Sequence, residues 1–151
     1  MRDQLILLER AIRIATHAHS GQFDKAGVPY ILHPLRVMNA LKTIDEKIVG
    51  ITHDVVEDTS ITAEFLLTEG FPQYIVDAIL SVTRPKSEKY TDFIQRCKKN
   101  TIGRNVKLAD LRDNSDLFRM HELQDKHLSM VKKYHRAIKE LEPDHNNRIC
   151  I

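Results

Sequence analysis

The 151-residue chain has no apolar run long enough to span a bilayer. Its N-terminus, MRDQLILLER, carries charges where a secretory leader needs an apolar stretch. A membrane association is therefore not expected, and the reading is cytoplasmic. Cysteine is scarce: Cys97 and Cys150 are the only two, and they form no CxxC pair, so reduced thiols are expected. The ending RICI is not a prenylation box, because its Cys is not fourth from the end. An excess of one charge sign is missing too, with 23 basic against 21 acidic residues. With no basic–aromatic platform either, a nucleic-acid partner is not expected. Five Gly and five Pro are few, and they fall between periodic segments. Strand-type alternation is weak and no repeat or linker stands out. What remains is an all-α, single-domain helical bundle covering residues 1–151.

Helical spacing places a first helix at about residues 3–19, with Leu5, Leu8, Ile12 and Ala15 on one side. The stretch 21–34 reads as a loop broken by Gly21, Gly27 and Pro29, and Pro34 opens a second helix. A third helix is predicted from Asp45 to Asp58. Thr62 caps a short helix ending near Gly70, and Pro72 begins another that carries Ile75, Ala78, Ile79 and Val82. After a loop at 83–89, residues 90–100 place Tyr90, Phe93, Ile94 and Cys97 together. Gly103 reads as an interruption before a helix at 104–118. The C-terminal helix, at about 123–141, aligns Leu128, Val131, Tyr134, Ile138 and Leu141.

Residues 51–60, ITHDVVEDTS, place four ionisable groups in an apolar segment. At about 100° per residue, His53, Asp54, Glu57 and Asp58 share one arc of a helix, and Val49, Ile51, Thr52, Val55 and Val56 occupy the other side. A solvated face is the ordinary meaning of such a pattern. Against it, adjacent imidazole and carboxylate groups are common ligands for zinc, manganese and iron, and a second acidic pair one turn on lies within reach of a metal-bound water. Matching groups occur elsewhere. His33 sits beside Pro34 at a loop-to-helix junction, where a packed or capping histidine is the commoner finding. In RNVKLADLRDN, Arg104, Lys107, Asp110 and Asn114 recur along one side of a helix. Asp110 lies among Leu108, Ala109 and Leu111, so it needs either a cation or an Asp110–Lys107 surface pair; spacing alone does not choose.

The stretches AHSGQFDKAGVPYILHPLRV, ITHDVVEDT, SVTRP and VKLADLRDN, in that order, resemble the HD superfamily of metal-dependent phosphohydrolases. The closer likeness is to the hydrolase domain of RelA/SpoT homologues and to small alarmone hydrolases, over about residues 10–120. The resemblance implies an HD-type helical bundle with one divalent metal, Mn²⁺ above Fe²⁺ or Zn²⁺, held by His33, His53, Asp54 and Asp110. It implies that Glu57 and Asp58 position and activate the attacking water. The implied reaction removes the 3′-pyrophosphate from guanosine tetra- or pentaphosphate (ppGpp). Asn114 then matches the residue near the ribose, and Lys25 the loop lysine that faces the nucleotide. No synthetase segment is legible, so alarmone synthesis is not expected.

One position departs from the pattern: Asp24 stands where these hydrolases commonly carry an arginine against the guanine base. A carboxylate cannot make that cation–π contact. Two alternatives stay open, another nucleotide such as NADPH as substrate, or a non-catalytic nucleotide-binding module. For phosphate charge, Lys25, Arg104 and Lys107 are candidates, with Arg36 and Lys89 behind them. Tyr30, Tyr74, Tyr90 and Tyr134 read as core or loop residues, and His17, His19, His121, His127 and His135 as structural or solvated. The C-terminal helix can pack on its own core or on a second copy, as a homo-oligomer.

Overall fold

Helix α3 (Ile44–Thr52) is the axis of the bundle, and its start is fixed by a reciprocal cap. Thr43 Oγ1 accepts the Glu46 amide at 3.2 Å, and Glu46 Oε2 accepts the Thr43 amide at 3.0 Å. The other Glu46 oxygen accepts Asn105 Nδ2 at 2.6 Å, which ties this end of α3 to a later helix. Ile48, Val49 and Ile51 are fully buried. Gly50 admits a neighbour closely, because a Cβ there would run into Leu41 and lie 3.4 Å from Met38 Cα.

The computed structural model describes residues 2–119 and 122–143, so His121 and Cys150 lie outside the described residues. Helix α1 (Arg2–Ala18) and α2 (Leu32–Ala40) pack on α3. The short α4 (Val55–Asp58) and α5 (Ala63–Thr68) lead to α6 (Gln73–Val82), α7 (Tyr90–Lys99) and α8 (Thr101–Asn114), followed by a 3₁₀ turn at Leu117–Arg119 and by α9 (Asp125–Leu141). Helix α8 contacts α2, α3, α6, α7 and α9, so it and α3 carry most of the core. Among the described residues the only β pairing is an isolated bridge between Phe23 and Pro29, and no helix is long and apolar enough to cross a membrane.

The expected all-α bundle is what forms, with differences at particular places. The third helix does not run unbroken to Asp58: α3 ends at Thr52 and α4 begins at Val55. The cause is local. His53 Nδ1 bonds the Gly50 carbonyl at 2.8 Å, the acceptor that the Asp54 amide would use in a continuous helix. Asp54 relaxes to φ −97°, ψ −5°. Helix α2 starts at Leu32, with Pro34 in the first turn, where a missing amide costs nothing. Leu5 and Leu128, assigned to apolar stripes, are exposed; Ala15 and Leu141 of the same stripes are buried as expected, joined by Ala11 and Ala137.

Gly103 does not interrupt a helix but sits in the first turn of α8, where its amide is capped by Asn100 Oδ1 at 2.9 Å. A Cβ at Gly103 would collide with Ser81 Oγ and lie 3.4 Å from the Ala78 carbonyl, so glycine here sets the α6–α8 separation. Helix α8 stops at Asn114, short of 118, where Ser115 Oγ donates to the Leu111 carbonyl at 2.7 Å. Gly103→Val is expected to lower unfolding free energy by about 1–3 kcal/mol through overpacking. Chemical denaturation checks this; unchanged stability would show that α6 and α8 are free to separate.

Candidate metal centre

Three elements converge on one buried point. His33 comes from the first turn of α2, His53 and Asp54 from the α3–α4 break, and Asp110 from the middle of α8. His33, His53 and Asp110 are 5%, 2% and 4% exposed. His33 Nε2 lies 3.2 Å from Asp110 Oδ1 and 3.6 Å from Asp54 Oδ2. His53 Nε2 lies 3.0 Å from Asp54 Oδ2 and 3.6 Å from Asp110 Oδ1. His33, His53 and Asp54 each offer a ligand atom within 4.8 Å of the others.

The donor set fits a divalent cation on its own chemistry. A carbonyl only accepts, so the bond to Gly50 makes His53 Nδ1 the protonated nitrogen and leaves a lone pair on Nε2 in the neutral ring. That Nε2 is buried and has no hydrogen-bond partner. His33 Nδ1 faces Asp113 Oδ2 at 2.7 Å, which likewise directs its Nε2 inward. Arg36 holds Asp113 in turn, through Nε at 2.7 Å and Nη2 at 3.1 Å. Asp110 is divided: Oδ2 accepts Lys107 Nζ at 2.7 Å, and Oδ1 faces the imidazoles and also accepts Asn114 Nδ2.

Electrostatics follow from this crowding. Burial alone would lower the His53 pKa, but Asp54 and Asp110 outweigh it and hold it well above the usual value. His33 is raised in the same way by Asp110 and Asp113. Burial acts on Asp54 in the opposite direction, yet the His53 charge carries its pKa down to about 2. Without a cation, protons on the imidazoles balance the carboxylates; a bound cation would replace them.

Glu57 and Asp58 stand one turn further on. Burial, aided by Asp54, raises both carboxyls above their usual range. Glu57 Oε2 accepts the Arg84 amide at 2.7 Å. Tyr30 Oη donates to Asp54 Oδ2 at 2.6 Å and reaches Asp58 Oδ2 at 3.5 Å. Next to the donor set, a cavity of about 380 Å³ is lined by Phe23, Lys25, Tyr30, Asn114, Met130 and Tyr134, among others.

The other sequence-stretch candidates divide. Lys107 and Asp110 do pair, but in the interior and not on the surface, at 15% and 5% side-chain exposure. Arg36 is committed to Asp113. Arg104 lines neither this cavity nor the cleft around Asp54, Glu57 and Asp110, and its Nε is buried without a partner. Lys89 lines neither. Tyr30 and Asp113 escaped the sequence reading as site residues. Their only signal was proximity, Tyr30 three residues before His33 and Asp113 three after Asp110. Asp24 Oδ1 accepts the amides of Ala26 at 2.8 Å and Val28 at 3.2 Å, an Asx turn that shapes the 22–30 loop.

No family profile matches the chain. A guanosine-3′,5′-bis(diphosphate) 3′-pyrophosphohydrolase of Borreliella burgdorferi is 39% identical over 79 residues, which are 50% of this chain and 12% of that protein. The bifunctional (p)ppGpp synthase/hydrolase SpoT of Escherichia coli is 27% identical over 98% of this chain and 20% of its own. The chain thus spans a fifth or less of the length of these relatives. A solved structure, described as a metazoan ortholog of SpoT that hydrolyzes ppGpp, superposes with a TM-score of 0.76 at 20% identity, covering 89% of this chain and 85% of that one.

Asp113→Asn is expected to weaken divalent-cation binding about 10–100-fold while leaving the helical content intact, since His33 loses the carboxylate that orients it. Calorimetric titration with Mn²⁺ checks this; unchanged affinity would remove Asp113 from the site. By sequence likeness and by fold, the chain resembles the hydrolase domain of RelA/SpoT proteins.

Proposed function

We propose that the chain is a divalent-metal-dependent phosphohydrolase that removes the 3′-pyrophosphate from guanosine tetra- or pentaphosphate, with Mn²⁺ suited to the mixed nitrogen and oxygen donors. The observation that carries the reading is the convergence of His33, His53, Asp54 and Asp110 beside two carboxyls, Glu57 and Asp58, whose pKa values are raised. The named activity of the relatives supports it.

His33, His53, Asp54 and Asp110 would hold the cation. When bound, a divalent cation lowers the pKa of water and polarises a phosphoryl oxygen. Glu57 takes the proton of the attacking water, and its Oε2 is steadied for this by the Arg84 amide. Asp58, reached by the Tyr30 hydroxyl, orients the same water. The water oxygen bonds to phosphorus, the bond from phosphorus to the ribose 3′ oxygen breaks, that oxygen regains a proton, and pyrophosphate leaves. Asn114 and Lys25 line the larger cavity, where ribose and base fit. Asp24, engaged with its own loop, supplies no base-facing cation, which supports the second reading of another nucleotide substrate such as NADPH.

With Mn²⁺ and a nucleotide panel, release of pyrophosphate from guanosine tetraphosphate is the expected result; preference for NADPH would select the second reading. His53→Ala and Asp54→Ala are expected to lose both bound metal and turnover, and full activity in a metal-free His53→Ala protein would overturn the mechanism. Glu57→Gln is expected to keep the metal, to lose about 10²–10⁴ in rate, and to lose the acid limb of the pH–rate profile. That limb should lie above the usual carboxylate range, because Glu57 must ionise to accept a proton and its pKa is raised by burial. Unchanged turnover in Glu57→Gln would leave the protein without its proposed base. If metal binding persists but no nucleotide of the panel turns over, the chain is a binding module.

A further inference from the structure

The cleft that contains Asp54, Glu57 and Asp110 encloses about 190 Å³ and is lined by cations as well as carboxylates. Arg84, Lys107 and Lys133 line it, around the rings of Tyr90 and Phe93. Lys107 is occupied by Asp110 at 2.7 Å. The other two cations are not matched in this way. Lys133, on α9, places Nζ 3.8 Å from the Tyr90 ring centroid and makes no ion pair with any described residue. Arg84 lies 5.9 Å from the same centroid. Its guanidinium reaches the Glu88 carbonyl at 3.3 Å, because the Glu88 carboxylate is taken by Arg96 at 2.7 Å. Arg96 also donates to the carbonyls of Leu80 and Thr83, so the loop that presents Arg84 is pinned at its base.

Two cations thus converge on one aromatic ring, and neither forms an ion pair with a carboxylate among the described residues. Such an arrangement costs free energy. Burial, then the charges of Arg84 and Lys107, push the Lys133 ammonium below its usual pKa. The ring face offsets only part of this. An anion of matching size completes the site. The larger cavity, with its mostly apolar lining, suits a base and ribose; this smaller one is lined by both acidic and basic side chains.

We propose that Lys133 and Arg84 form a clamp across Tyr90 for the terminal phosphate of the scissile pyrophosphate group, and for the inorganic pyrophosphate released. The inference rests on the phosphohydrolase reading of the cleft and adds the residues that recognise a pyrophosphate over a single phosphate. The proximal phosphorus faces the donor set and Glu57, and the distal one faces the clamp. Helix α9 thereby contributes to substrate selection as well as to the core.

The test is calorimetric titration of the Mn²⁺-loaded protein with inorganic pyrophosphate and, separately, with inorganic phosphate. The wild type binds pyrophosphate more tightly than phosphate. Lys133→Ala loses about tenfold or more of the pyrophosphate affinity, with phosphate and Mn²⁺ affinities unchanged. Lys133→Arg recovers most of it. Lys132→Ala binds like wild type, since Lys132 lines the groove between α7 and α9 and not this cleft. Pyrophosphate affinity unaltered in Lys133→Ala overturns the clamp, as does an equal loss in Lys132→Ala, or a wild type that holds pyrophosphate no better than phosphate. Failure of the functional reading looks different: no nucleotide turns over, while pyrophosphate binding still depends on Lys133.

Discussion

Asp110 is a carboxylate in the middle of a helix with 4% of its surface exposed, and the site follows from how that charge is met. An isolated buried carboxylate is not tolerated. One oxygen is answered by Lys107, one turn earlier on the same helix, and Lys107 is itself covered by Phe93, whose ring centroid is 5.0 Å from its Nζ. The other oxygen is left to face two imidazoles. Each imidazole has its outer nitrogen engaged, by the Gly50 carbonyl or by Asp113, so the inner nitrogens have no partner but the carboxylates or a cation. A pocket arranged in this way holds protons when empty of metal, which is the meaning of the raised histidine pKa values.

The same accounting sorts the cations of the fold. Arg36 secures Asp113, Lys107 secures Asp110, and Arg96 secures Glu88 and the carbonyls of Leu80 and Thr83 at the end of α6. These three are structural in effect, since releasing any of them would strand a partly buried carboxylate. Arg84 and Lys133 belong to a different class. They converge on the Tyr90 ring without an ion pair among the described residues, in the cleft that Asp54 and Glu57 also line. On the proposed reading, a phosphate group in that cleft meets both acid and base, and a divalent cation and the clamp would divide its charge between them.

Much of this was legible in the residues. The sparse Gly and Pro and the 3.6-residue spacing gave helices close to where they form, and ITHDVVEDTS read as a site because its ionisable groups share a face. Periodicity reports which side of a helix is buried, though not what it meets. It could not choose between a cation and a surface Lys107 pair for Asp110, and it did not foresee the buried pair that forms under Phe93 of α7. It placed Arg104 with Lys107, although only Lys107 reaches the cleft. It made α3 and α4 one helix, because competition for the Gly50 carbonyl is a side-chain event at His53. Gly103 looked like a breaker because its cause, the close passage of Ser81, lies on another helix. Arg84 contributes partly through a backbone amide, which no residue pattern encodes.

Asp24 shows how far a single substitution reaches. Where the resemblance implies an arginine against the base, the carboxylate here accepts two amides of its own loop, and Phe23 and Lys25 line the cavity. What is lost is a charge–ring contact. What remains for the base is an exposed aromatic ring and the thioether of Met130, surfaces that stack on any purine or pyrimidine with little discrimination. The cleft proposed for the phosphates is, by contrast, lined by fixed charges of both signs. On the proposed reading, selectivity in this protein therefore resides with the pyrophosphate group and its attachment to the ribose, and the identity of the base counts for less.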